Sequence, residues 1–234
     1  MGLSIAKVFG AHDFRVALVS RNQDKLDDLA AQLEQLGIEA AGFAADLMDR
    51  PTITEAFASI KERYGIVDVL EYSPAPHVPV PGVESVDALH LTVETVQPQI
   101  EFYLYGAIAA TQQVLPDMVA AGRGTILFTT GGSAVNARPW ISNVGIGGAA
   151  LRSWAESLRL ALVDTGVYVA HVPIGVWIGK DGPDADAIAP AYWDLHTKRD
   201  DASRCYVWWD RSTDAERPSA PLTRAGQADP PGSG

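Results

Sequence analysis

Ser133, Asp164 and His171 stand in the chain order of one kind of hydrolase triad, with the serine in Gly131-Gly132-Ser133. That segment ends an apolar run and leads toward a helix. It is half of the G-x-S-x-G turn that presents a serine hydroxyl to a carbonyl. The other half is missing. Val135 replaces the final glycine, and Pro139 lies in a long connection before the helix, so no sharp elbow is expected. Asp164 reads as a helix-end residue, away from the strand tips. A metal centre is not expected either. His12, His77, His90, His171 and His196 show no paired ligand spacing, and Cys205 is alone. The glycines flanked by Thr130 and Ser133 let a ligand approach the backbone closely, and they equally suit an ordinary turn.

The elements that must position these residues read clearly. Phe14–Ser20 is a buried strand, and Asn22 caps a helix with Leu26, Leu29, Ala30, Leu33 and Leu36 on one face. Gly37 stops that helix, and Ala40–Ala45 is a second strand ending at Asp46. Pro51 opens a helix whose inner face carries Ile53, Phe57, Ile60 and Tyr64. Ile66–Tyr72 is a third strand, and a long helix is expected from Pro98 to Met118. Gly124–Thr130 is a fourth strand, Gly147–Asp164 a helix and Val167–Val172 a fifth strand. This alternation predicts an α/β fold, a Rossmann-like doubly wound parallel sheet in a single domain, residues 1–209. From residue 210 to 234 large apolar residues nearly vanish, and a disordered tail is expected.

Composition narrows the partners. A net charge of −11 with no Lys/Arg run argues against nucleic acid. No signal peptide, myristoylation pattern or spanning apolar stretch is present, so a soluble, cytoplasmic chain is expected, with no membrane partner.

The segments Thr125-Ile-Leu-Phe-Thr-Thr-Gly-Gly-Ser133 and Asn143-Val-Gly-Ile-Gly-Gly-Ala-Ala-Leu-Arg-Ser-Trp-Ala-Glu-Ser-Leu158 resemble the short-chain dehydrogenase/reductase family. Gly106, Thr111-Gln112 and Leu115-Pro-Asp-Met118 resemble its long helix, and the likeness runs from about Gly2 to Asp200. The resemblance implies an NAD(P)-dependent oxidoreductase acting on a small carbonyl or alcohol. It also places Gly2 in the turn before the first helix, Ser20 and Arg21 at the adenosine ribose, Asp46 and Leu47 at the adenine, and Ser73, Gly131 and Gly175 along the cofactor. Ser20-Arg21 suits a 2′-phosphate, favouring NADP over NAD. A helix-capping turn is the alternative there, and a turn cap is the alternative for Asp46.

The catalytic positions of the family do not match. Its Asn, Ser, Tyr and Lys align with Tyr103, Gly131, Val144 and Gly148, and its N-A-G aligns with Ser73-Pro74-Ala75. Carbonyl reduction there needs a tyrosine hydroxyl whose pKa a lysine lowers, and neither Val144 nor Gly148 supplies one. Tyr103, Ser133 and His171 are the candidate substitutes, with Tyr72 near the same region and Lys180 and Arg138 the nearby cations. The aromatics could instead fill volume left by lost polar groups. Trp177 marks an expected pocket lid. A non-catalytic ligand-binding or partner subunit is the second reading, with Tyr105, Ala109, Trp154 and Leu158 available for a homo-oligomer contact. The chain also opens on a helix, so a preceding apolar strand and Gly-rich turn, encoded upstream of Met1, are expected.

Overall fold

The computed structural model describes residues 1–75, 83–179 and 182–199. The expected tail at 210–234, and His77, Lys180 and Cys205, lie outside these residues. Five strands form the centre: β1 (Val16–Ser20), β2 (Ala40–Ala44), β3 (Val69–Tyr72), β4 (Gly124–Gly131) and β5 (Val167–Ile174). All pairings among them are parallel, but they fall into two sheets, β1-β2 and β3-β4-β5. The division lies between β1 and β3, which do not pair with each other among the described residues.

Helices cover both faces, as buried parallel strands require. On one face lie α3 (Arg50–Tyr64), α5 (Gly106–Ala121) and α6 (Ser142–Ala161), which bury Phe57, Val114, Met118 and Leu151 against Ile126 and Phe128. On the other, α1 (Gly2–Gly10), α7 (Ala185–Ile188) and α8 (Pro190–Lys198) bury Phe9, Ile188 and Tyr192 against Leu127 and Val172. Helix α2 (Gln23–Glu34) packs with α1 over β1 and β2 through Leu33, Ala6 and Ala40. The α/β class and doubly wound architecture expected from the sequence are therefore present.

Several boundaries differ from the expectation. The long helix begins five residues before Pro98, as α4 (Val93–Ile100). Thr92 and Thr95 cap its start reciprocally, at 3.3 and 2.9 Å, and Pro98 is accommodated inside. Between α4 and α5 the helix widens to a π turn, Glu101–Tyr105. Helix α6 starts at Ser142, not Gly147. Gly145, Gly147 and Gly148 weaken intrinsic helix formation, and Asn143 compensates by tertiary contact. Its fully buried side chain accepts from the Val86 amide at 2.8 Å and donates to the Glu84 and Thr95 carbonyls at 2.8 and 3.1 Å. Strand β3 starts at Val69, not Ile66, which is exposed, and β5 runs on to Ile174.

Candidate active site at the strand tips

The carboxyl end of β4 carries Thr129 and Thr130, which point to opposite faces of the sheet because side chains alternate along a strand. On the α5–α6 face, Thr130 Oγ1 lies 2.8 Å from His171 Nε2 on β5. Both residues are buried, His171 at 9% exposure, and its Nδ1 has no hydrogen-bond partner among the described residues. Burial, with Arg152 adding like charge, depresses the His171 pKa to about 4. The ring is thus neutral at pH 7.

No hydrolase triad forms. His171 engages Thr130 through Nε2, and Asp164 sits at positive φ beyond α6, near the amino end of β5. Ser133 lies in a 3-10 turn, Gly132–Ala134, and its Oγ is 3.8 Å from where a Cβ on Gly131 would be. The hydroxyl therefore stands beside the position of the family's serine.

The two helix positions have closed differently. Val144 is half-buried in the first turn of α6. One turn on, a Cβ added to Gly148 would lie 2.9 Å from Ala134 Cβ and 3.7 Å from Thr130 Cβ. Ala134 thus occupies the room in which a lysine stem would start. Gly147 lets α4 and the π turn come close, since a Cβ there would meet the Gln99 carbonyl at 2.9 Å and Tyr103 Cδ2 at 3.0 Å. The Tyr103 ring therefore packs beside α6, and burial holds its phenol above the ordinary tyrosine range. Tyr72 is not available as an acid. Its buried hydroxyl donates to the Phe102 carbonyl at 2.7 Å, inside the π turn, and desolvation raises its pKa strongly.

The expected cofactor residues gather at the same ends of the strands. Ser20 closes β1, and Arg21 is exposed, with no hydrogen bond or ion pair to the described residues. Asn22 caps α2 by accepting from the Lys25 amide at 2.9 Å, so the capping role of this turn belongs to Asn22 and leaves Arg21 free. Asp46 caps its own turn, accepting from the Met48 amide at 2.9 Å, and Leu47 packs against Tyr103 and Phe102. Gly2 opens α1, whose first-turn amides form an anion-attracting end. Gly131 ends β4, and Gly175 follows β5. These positions fit a dinucleotide: a free guanidinium for a 2′-phosphate, a helix start for phosphate and glycines for close approach. Trp177 is 74% exposed beyond β5, while the Trp154 ring lies 5.4 Å from Phe128 and faces inward.

One group escaped the sequence reading. Glu71, the last residue but one of β3, points to the α1–α8 face, and its Oε2 accepts from Ser73 Oγ at 2.8 Å. Its Oε1 accepts from Thr129 Oγ1 at 3.0 Å, and Thr129 Oγ1 is 2.7 Å from the Tyr192 hydroxyl. Burial raises the Glu71 pKa to about 7, against the lowering by its two hydroxyl donors. A charged residue inside the apolar strand Val69-Leu-Glu-Tyr72 was the available signal.

A parallel sheet with helices on both faces and its site at the strand tips defines the Rossmann-like class of α/β proteins. Within that class this chain belongs to the short-chain dehydrogenase family, whose model matches residues 1–177. It is 31% identical over 202 residues to a Streptomyces coelicolor protein named as a ketoacyl reductase, covering 83% of this chain and 72% of that one. A Danio rerio protein, dehydrogenase/reductase SDR family member 7B, is 27% identical over 185 residues, and the match spans 75% of this chain and 57% of the relative. Among solved structures, actinorhodin polyketide ketoreductase with NADPH is 26% identical with a TM-score of 0.69, over 83% of this chain and 72% of that one. No described helix is long and apolar enough to cross a membrane.

Proposed function

We propose that this chain binds NADP across the strand tips and holds a small carbonyl or alcohol beside Thr130, Ser133 and Tyr103, with the family's tyrosine–lysine acid absent. The cofactor, when bound, supplies or accepts the hydride. The observation that carries the reading is the closed lysine position: Ala134 stands 2.9 Å from the place of a Gly148 Cβ, while the strand tips keep their glycines. Proton transfer, where turnover occurs, falls to the groups that remain. Tyr103 and His171 are those groups, and burial works against both, holding the Tyr103 phenol above its ordinary range and the His171 imidazole below its own, so either would transfer a proton slowly. The ketoacyl reductase name of the Streptomyces coelicolor relative and the NADPH of the actinorhodin ketoreductase structure support carbonyl chemistry as the substrate class.

The test begins with binding, followed by tryptophan fluorescence. NADP should bind more tightly than NAD by about tenfold, the effect of a charge-assisted contact of roughly 1.5–3 kcal/mol. Arg21→Ala should erase the difference, and equal affinities in the unmodified protein would refute the assignment. Reduction of an activated ketone should be undetectable or very slow, since a positioned general acid contributes about 10²–10⁴-fold. Turnover at about 1–10³ s⁻¹, the ordinary enzymatic range, would show that another acid has taken over. Tyr103→Phe and His171→Gln would then separate the two candidates.

A further inference from the structure

Strand β2 pairs only with β1, so its far edge is unpaired among the described residues. Two hydrogen bonds fix which groups that edge presents. The Glu39 carbonyl accepts from the Val16 amide, and the Ala45 amide donates to the Ser20 carbonyl. Odd-numbered residues thus turn their backbone groups toward β1, and by the alternation of a parallel ladder Ala40, Gly42 and Ala44 turn theirs away. The Gly42 carbonyl accepts from Gln23 Nε2 at 3.2 Å, and the same amide donates to Asp27 Oδ1 at 2.7 Å. The Gly42 amide and both Ala44 backbone groups have no partner among the described residues. A cavity of about 310 Å³ opens along this edge between α2 and α3, bordered by Gln23, Gly42, Ala44, Glu55 and Ser59. No lysine or arginine borders it, the Glu55 carboxylate is exposed, and Asp27 stands behind Gln23. The strand itself, Ala-Ala-Gly-Phe-Ala, carries no lysine or proline of the kind that blunts exposed sheet edges.

We propose that this edge docks an extended, basic segment of a partner protein, which adds a strand beside β2. The segment bonds the Gly42 amide and the Ala44 amide and carbonyl, as strand addition to a free edge requires. It displaces the Gln23 amide from the Gly42 carbonyl, and Gln23 keeps Asp27 as its acceptor. Side chains of an added strand alternate between two walls. One set meets Gln23 and Asp27 on α2, the helix against which Gly42 lies; the other meets Glu55 and Ser59 on α3. A lysine or arginine answers the carboxylate on either wall. A second copy of this chain suits the edge poorly. The chain carries a net charge of −11, and pairing two β2 edges would bring acidic walls together. None of these residues belongs to the site at Thr130 and Tyr103, so the inference stands apart from the dinucleotide reading.

The experiment titrates the unmodified full chain with a short, capped, dye-labelled peptide of alternating lysine and valine, followed by fluorescence anisotropy. The same peptide with glutamate for lysine should bind at least about tenfold more weakly. Amide hydrogen exchange should show the Gly42 and Ala44 amides open in the free chain and protected with the lysine peptide. Glu55→Lys, on the exposed face of α3, should weaken that peptide about three- to tenfold and favour the glutamate one. Ala44→Pro removes an outward N–H and leaves the bonds to β1, so it should weaken binding about fivefold or more. If Ala44→Pro does not fold, a lysine peptide N-methylated at alternate amides makes the same test from the other side. Absence of binding at about 1 mM lysine peptide, or equal binding of the lysine and glutamate peptides, would overturn the proposal. Equal binding of the N-methylated peptide would show that no strand is added and overturn it as well. Gly42 and Ala44 amides already protected in the free chain would mean that residues 200–234 or a second copy covers the edge, which also overturns it.

Discussion

The two faces of the β3-β4-β5 sheet carry buried titratable groups that solve opposite problems with neighbouring threonines. On the α5–α6 face Thr130 meets a histidine that burial keeps unprotonated at neutral pH; on the α1–α8 face Thr129 meets a glutamic acid whose pKa desolvation raises to about 7. Consecutive residues of one strand thus hold two groups, both shifted toward their neutral forms, back to back at the strand tips. Among the described residues neither has a paired counter-ion, and each relies on a hydroxyl that can donate or accept. The α5–α6 face is the one on which the family places its tyrosine and lysine, and here it has been filled by Ala134 and glycine. The opposite face carries an ionisable group in the middle of an otherwise apolar strand.

The largest expected effect comes from rebuilding the helix side. Val144→Tyr with Gly148→Lys alone should fail to give activity, because the new Cβ at 148 would press on Ala134 at 2.9 Å. Adding Ala134→Gly opens that place. The triple variant should reduce an activated ketone with NADPH about 10²–10⁴-fold faster than the parent, and variants lacking either the Tyr or the Lys should gain little. A double variant as active as the triple would show that Ala134 does not close the site.

Next in size is the pH dependence of stability, where the two faces should oppose each other. The Glu71 pKa is raised to about 7, so its contribution is fully present below the ordinary value of 4.5 and is lost as pH rises through about 7. The His171 pKa is depressed from 6.5 to about 4, so its contribution is present above 6.5 and is lost as pH falls toward 4. Between pH 4.5 and 6.5 the slopes offset each other. Glu71→Gln should expose the histidine slope, a gain of about 2 kcal/mol from pH 4.5 to 6.5 by urea denaturation, and His171→Gln should expose a fall of about the same size. Parallel profiles for the two variants would mean that the faces are not opposed.

The scaffold was more legible than this arrangement for physical reasons. Periodicity reports burial, so Leu26, Leu33, Ile53 and Phe57 disclose their helices, and the apolar run at 125–130 discloses β4. Pro98 misled the boundary of α4, because the reciprocal Thr92–Thr95 cap lacks the Glu or Gln that usually signals such a start. That Val144 and Gly148 stand at the aligned positions was readable from residue identity alone. The threonine contacts at the strand tips were not. Glu71 and Thr129 are 58 residues apart, and Thr130 and His171 are 41 apart. Only the parallel register of β3, β4 and β5 brings them together. Tyr72 looked like an available acid because nothing in the sequence shows that a π turn offers its hydroxyl the Phe102 carbonyl.

The smallest expected effect is the most direct comparison of the two threonines. Val replaces Thr with nearly the same shape and removes the hydroxyl. Thr129→Val takes a partner from both Glu71 Oε1 and Tyr192, whereas Thr130→Val takes one from His171 Nε2 only. A buried polar group left without its partner costs about 1–3 kcal/mol. At pH 7, urea denaturation should therefore show about 2 kcal/mol lost for Thr129→Val and about 1 kcal/mol for Thr130→Val. Tyr192→Phe in the Thr129→Val background should recover part of the larger loss, because it removes one of the two stranded groups. The same replacement alone should cost about 1 kcal/mol, since Thr129 keeps Glu71 as a partner. Equal losses for the two threonine variants would mean that Thr129 does not link Glu71 to Tyr192. A Thr130→Val loss larger than the Thr129→Val loss would place the more demanding polar contact on the histidine face.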